Sequence, residues 1–508
     1  MNQEAFSQEA NTESTPMKKK RKWLKGLIIA VPSAALAAVL VLLLVSGIGF
    51  LRRIGGGEFV WPGDPRPDVP PIAVNTRNLS GFAADALYLV QMVERAHPIF
   101  IVEGFLPENY AAVRDAFIYE AKGFTTRSEF ILAAYRYTAT LQDGHMTGFN
   151  LFAPNYLART YPGMLQIDWG VHDGRLFLHD ENGRTGTEVT SIGGAPIALV
   201  WELIDEHFFH ENAIYRDWNL ALYSRYSAII ELAGGKIEDG RIVVTLESHD
   251  GTAEMERRFQ MPQPMAAFTR LEEVAAGMDF IIRDEMIGDD IFFIDLRIFV
   301  LGDHIDETAA RIEQAIENGL RKFIVDLRDN GGGTSWVGTR LLRAMGISVP
   351  RVGVIRRFSP LMIDESRYLG VMPALAVPML RGLTLFADGM RSEPCTCSVS
   401  NANEVFVSIL TNNGTYSAAT MMAYWVQDSG FGNIVGAPSL NAPSSFGDML
   451  FFNLPYTGLQ ARVSHARFLR PDANADQSVL WPDIMVDPAD ALEAAIEYLR
   501  GRTEYTGI

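Results

Sequence analysis

The sequence predicts an α/β protein carried on a single N-terminal transmembrane helix. Three observations predict it. Residues 26–51 contain no charged side chain. From about residue 278, strand-like and helix-like runs alternate, as in layered α/β architectures. Residues 156–270 instead show shorter alternating runs broken by turn signals, the pattern of a β-rich module.

The first element follows from length and charge. An uncharged run from Gly26 to Leu51 is 26 residues long. At about 1.5 Å per residue it crosses a hydrocarbon core about 30 Å thick. Lys18, Lys19, Lys20, Arg21, Lys22 and Lys25 precede it, and only Arg52 and Arg53 follow. The positive-inside bias places residues 1–25 in the cytoplasm and the body outside, as a single-pass plasma-membrane protein. A cleaved signal peptide is the rival reading, but its apolar region is usually shorter, about 7–15 residues. Residues 52–75 ("GGGEFVWPGDPRPDVPP") read as a Gly- and Pro-rich spacer.

With 508 residues and a formal charge of -17, the chain is too long for one core and strongly acidic. Residues 54–508 alone carry 36 basic and 58 acidic side chains. Such a body repels polyanions, which argues against nucleic acid as a partner. The two cysteines, Cys395 and Cys397, lie in "EPCTCSV". They lack the spacing and the histidine of a zinc set, and read as inert or locally bridged thiols in a loop.

Residues 76–155 read as helical. "GFAADALYLVQMVERAH" and "TRSEFILAAYRYTATLQ" both place apolar residues three and four apart. Residues 156–270 contain "GRLFLHDENGRTGTEVTSIGGAPI" and "GRIVVTLESHDGT", with a helix around "ALVWELIDEHF". Residues 271–508 form the α/β core. "DIFFIDLRIF", "KFIVDLR" and "EVFVSIL" are strands, and "DETAARIEQAIENGL", "TSWVGTRLLRAM" and "SAATMMAYWVQDSG" are helices. Asp306 is the expected cap of the first of these helices.

Three stretches can build a site. In "VDLRDNGGGTSW" a buried strand runs into Gly331, Gly332 and Gly333 and then a helix. Such a turn exposes backbone N–H groups to a phosphate or an oxyanion, or simply needs glycine for its shape. No P-loop lysine or G-x-G-x-x-G pattern accompanies it. In "GTYSAATMMAY", Ser417 stands where a strand meets a helix, as a cap or as a nucleophile. In "LQDGHM", His145 follows a helix in an Asp-Gly-His turn. Each alone has an ordinary structural reading.

Together and in this order, "LQDGH", "DLRDNGGG" and the serine before "AATMMAYWVQDSGFGNIVGAP" resemble the S41 peptidases, the C-terminal-processing and tricorn-type serine proteases. The resemblance spans roughly residues 80–500, with "HPIF" (His97, Pro98) and "PDIMV" as further landmarks. It implies a crotonase/ClpP-like β-α core, an N-terminal helical cap carrying the base, and a PDZ-like insert at "GTEVTSIGGAPI". The family has a Ser–Lys design and a Ser–His–acid design. No lysine follows Lys322, so the first is excluded on residue type. The second implies Ser417 as nucleophile, His145 as base, and a late acid. Asp476, 59 residues beyond Ser417, is the expected acid, with Asp472, Asp448 and Asp143 as alternatives. Gly332 and Ala418 are the expected oxyanion donors. No metal or organic cofactor is implied, and the partners are a peptide or protein substrate and the lipid bilayer. The competing readings are a catalytically degenerate peptide- or ligand-binding module of the same fold, and an acyl-CoA enzyme, disfavoured by the extracytoplasmic placement.

Overall fold

The computed structural model describes residues 58–146, 163–180, 183–260, 275–363, 387–397 and 399–502. The expected cytoplasmic tail and membrane segment lie outside them. No described helix is long and apolar enough to cross a membrane.

The architecture is mixed α/β. Its centre is a six-stranded sheet in the order Ile484–Met485, Gly432–Gly436, Phe406–Thr411, Lys322–Asp326, Ile291–Leu296, Ile282–Ile287. All neighbours are parallel except the last pair. The central strands read as unbroken apolar runs because both faces are covered. Phe292, Ile294 and Leu296 join Phe323, Val325, Val407 and Ile409 on one face, under the helices Asp303–Glu317, Trp336–Ala344 and Ala418–Asp428. Ile291, Ile324 and Leu410 face the C-terminal helix Ala491–Gly501 on the other. The expected cap Asp306 sits inside the first turn of a helix that starts earlier, with Gly302 at the cap position. There Asp306 receives the guanidinium of Arg340 at 3.0 Å.

The remaining strands of residues 271–508 do not extend this sheet. Gly353–Arg357, Gly389–Ser392, Phe446–Asn453 and Gln460–Leu469 form a separate antiparallel sheet with Glu58–Val60. It packs in one apolar cluster with the N-terminal helices Gly81–Ala96, Tyr110–Glu120 and Arg127–Ala139. The last of these helices is started by a capping box in which Thr126 and Glu129 satisfy each other's backbone N–H.

The β-rich region is an antiparallel sheet built on Trp169–His172, Arg175–Asp180, Gly183–Ile192, Arg241–Ser248 and Gly251–Gln260. Its helices Ile197–His207, Ala213–Tyr223 and Ser227–Leu232 send Val200, Ile204, Leu220, Tyr223 and Ile229 into the N-terminal helical cluster. The module is therefore packed against the body through a shared core. Cys395 and Cys397 are joined in a disulfide.

Candidate active site

The strands ending at Leu296, Asp326, Thr411 and Gly436 run parallel, so their following loops emerge at one edge of the sheet. In open parallel sheets that edge is where ligands bind. The Gly-turn and the serine turn follow adjacent strands and meet there.

Asn330, fully buried, organises the Gly-turn. Its Nδ2 donates to the Leu296 carbonyl at 2.7 Å, and its Oδ1 accepts the Gly332 N–H at 2.8 Å. Its backbone carbonyl accepts the Tyr416 N–H at 2.9 Å. The Gly332 N–H, expected at the oxyanion, is thus committed to a side chain. What Gly332 provides is proximity: a Cβ there would stand 2.7 Å from Ser417 Cβ and 2.8 Å from Ala418 N. The next residue, Gly333, lies in a parallel bridge to Phe299. That pairing turns the Gly333 N–H away from Phe299, and no described hydrogen bond occupies it.

Ser417 stands at the cap position of the helix Ala418–Asp428, but its side chain makes no capping bond. Its backbone has φ 55° and ψ -120°. A non-glycine residue held there costs on the order of 1–3 kcal/mol and needs support from its surroundings. Asn441 supplies it, because its Oδ1 accepts both the Ser417 N–H at 2.9 Å and the Thr420 hydroxyl at 2.6 Å. The Ala418 N–H, at the first turn of the helix, has no acceptor among the described hydrogen bonds. The helix dipole reinforces it.

The freed Ser417 Oγ lies 3.0 Å from His145 Nε2, across 272 residues of sequence. His145 is 7% exposed, and burial lowers its pKa to about 4. The ring is therefore neutral at physiological pH and free to accept a proton. Asp143 positions the backbone rather than the ring. Its Oδ1 accepts the His145 N–H at 2.8 Å, and its Oδ2 meets His97 Nε2 at 3.0 Å with both side chains fully buried. His97 Nδ1 accepts the Ile99 N–H, so the Nε2 proton of a neutral imidazole serves Asp143. This gives "HPIF" a physical role.

The other ring nitrogen, Nδ1, faces the Tyr416 hydroxyl at 3.4 Å. Asp476 does not reach the histidine. Its Oδ1 accepts the backbone N–H groups of Ser478 and Val479 and the Ser478 hydroxyl, and its Oδ2 accepts the Trp481 indole N–H. Those local bonds hold its pKa down to about 2 although burial opposes them. Asp472 accepts from Asn474, and Asp448 pairs with Arg356. Asp143 and Glu211 each bring an oxygen within 4.8 Å of a His145 nitrogen, a trio that could also hold a metal ion. Its oxygens, however, already accept four protein hydrogen bonds, from His97, His145, Gly144 and Ala442. Glu211 had no sequence signal, and Tyr416 had only its place beside Ser417.

Residues 291–486 match the family model of Peptidase family S41. That segment, 196 of the chain's 508 residues, belongs to that family. The chain is a serine-type peptidase. The matched range covers Ser417 and the central sheet except its edge strand Ile282–Ile287, and leaves His145 outside. Among solved structures, a CPAF mutant is 14% identical with a TM-score of 0.53, covering 83% of this chain and 96% of that one. Mature CPAF is 14% identical at TM-score 0.51, covering 82% and 95%. The photosystem II D1 C-terminal processing protease is 14% identical at TM-score 0.40, covering 81% and 94%. At this identity the CPAF likeness is one of fold. No curated protein sequence matches the chain.

Proposed function

We propose that the chain is a membrane-anchored, extracytoplasmic serine endopeptidase that works through an acyl-enzyme. The observation that carries this reading is the 3.0 Å contact of Ser417 Oγ with His145 Nε2, made by a serine whose strained backbone leaves its side chain uncommitted. For Nε2 to accept the serine proton, Nδ1 must carry the other. The Tyr416 hydroxyl oxygen accepts it, in the place a carboxylate takes in a Ser–His–Asp arrangement. Ser417 attacks a peptide carbonyl, His145 takes its proton, and the imidazolium passes that proton to the leaving amine. Burial works to raise the Asp143 pKa, but the hydrogen bond and charge of His97 outweigh it and keep the carboxylate ionised, so that it offsets the imidazolium charge. The N–H groups of Ala418 and Gly333 receive the oxyanion, each worth on the order of 3 kcal/mol of barrier.

The test uses the full chain in detergent, a fluorophosphonate probe and casein. Wild type labels and cleaves, whereas Ser417→Ala and His145→Ala lose both. Full activity in either variant would sink the assignment. The anchor, argued from residues 18–53, predicts that the chain stays with the membrane pellet after alkaline carbonate washing. Release into the supernatant would refute it.

A further inference from the structure

Glu211 lies in the link between the helices Ile197–His207 and Ala213–Tyr223 of the β-rich module. Its two carboxylate oxygens go to two different parts of the site. Oε1 accepts the N–H of Gly144, the residue before His145, at 2.7 Å. Oε2 accepts the N–H of Ala442 at 2.9 Å. Ala442 follows Asn441, whose side chain holds the Ser417 backbone. The next residue strengthens the junction: Asn212 Nδ2 donates to the carbonyls of Leu440 and Ser478 at 3.2 and 2.9 Å. Position 144 fits only glycine, because a Cβ there would collide with both the Tyr416 hydroxyl and the Glu211 carboxylate.

We infer that Glu211 is a positioning residue, which fixes the base segment and the nucleophile segment to each other and so makes acylation depend on the seating of the β-rich module. The inference rests on the Ser417–His145 reading above.

A neutral amide could make one of these bonds, but only a carboxyl group can accept both. An ionised carboxylate accepts them more strongly than an acid does. The groups facing Glu211 are Asp143 and His145 of the base turn, Tyr416 of the nucleophile turn, Tyr215 of the following helix, and Arg467 of the antiparallel sheet. Burial, followed by the charge of Asp143, raises the Glu211 pKa to about 8. Ionisation near that pH tightens both backbone bonds and adds negative charge beside the histidine that becomes cationic. Both effects accelerate acylation.

The experiment measures phosphonylation rate, kcat and KM of the full chain from pH 6 to 9.5, for wild type, Glu211→Gln, Glu211→Asp and the exposed module control Glu202→Gln. Misplacing a reacting pair costs roughly 10- to 100-fold in rate. Glu211→Gln is expected to lose that much in phosphonylation rate and kcat at pH 8.5, with KM changed less than about twofold. The wild-type rate should rise through about pH 8, a step that Glu211→Gln lacks and Glu202→Gln keeps. A Glu211→Gln enzyme with wild-type rate and profile overturns the inference. A flat wild-type profile between pH 7 and 9 does so too, whatever the variants' folding. Failure of the underlying reading looks different, because Ser417→Ala would then still label.

Discussion

His145 shows how burial decides chemistry at one residue. A histidine in water is half-protonated near pH 6.5, where the proton removes its ability to act as a base. Inside this site desolvation lowers its pKa to about 4, against the raising effect of Asp143. The acid limb of kcat/KM reports the free enzyme's base. It should therefore fall near pH 4 to 5, well below the separate rise near pH 8 that Glu211 sets. A limb centred at pH 6.5 or above would show that the ring is better solvated than its 7% exposure implies. Ser417 carries the complementary lesson. A serine at the start of a helix usually caps it. Here a φ of 55° turns the hydroxyl from its own helix toward the histidine.

At the scale of elements, the loop that follows the strand Gly432–Gly436 acts as a clamp. Asn441 ties it to the nucleophile helix through Ser417 and Thr420, and its Nδ2 donates to Ala442 and Ser445. Asn441→Ala would strand a half-buried N–H and leave the strained serine unsupported. Loss of such a partner costs about 1–3 kcal/mol. Denaturant melts should show a loss of that size, and the phosphonylation rate should fall at least about tenfold. An unchanged rate would mean that Ser417 keeps its conformation without Asn441. The strands, helices and three local motifs of this region were legible in the sequence, because apolar period and turn chemistry are local. Both misplaced assignments, Gly332 and Asp476, share one cause. Asn330 and Asp476 each accept the N–H two residues ahead, as asparagine and aspartate do in tight turns. "DNGGG" and "DQS" carried that signal, and it competes with the catalytic role. Tyr416 and Glu211 were not legible as partners, because their contacts join positions 271 and 67 residues apart.

Across the whole molecule, buried titratable groups set where the fold is most stable. His145 and His465 are both depressed to about 4, and His172, His207 and His210 are lowered too, with burial the first cause in each. A histidine with a lowered folded pKa binds its proton more readily when unfolded. It therefore removes stability as pH falls from about 6.5 toward 4. Glu211, raised to about 8, acts in the opposite sense: the folded state holds a proton that the unfolded state releases near 4.5. Its contribution is fully present below pH 4.5 and is lost as pH rises to about 8. Asp217 and Asp428 are raised as well, also by burial. Between pH 4.5 and 6.5, among the described residues, the five histidines outnumber the three acids, so stability climbs with pH. Above 6.5 the histidines have finished titrating while Glu211 continues, so stability declines. Melting temperatures of Ser417→Ala, which avoids self-cleavage, should peak near pH 6.5 and fall on both sides. Adding Glu211→Gln should flatten the alkaline side alone, since an amide has no proton to lose. A melting temperature that keeps rising from pH 6.5 to 8, with or without that change, would show that Glu211 is ionised in the folded protein at neutral pH.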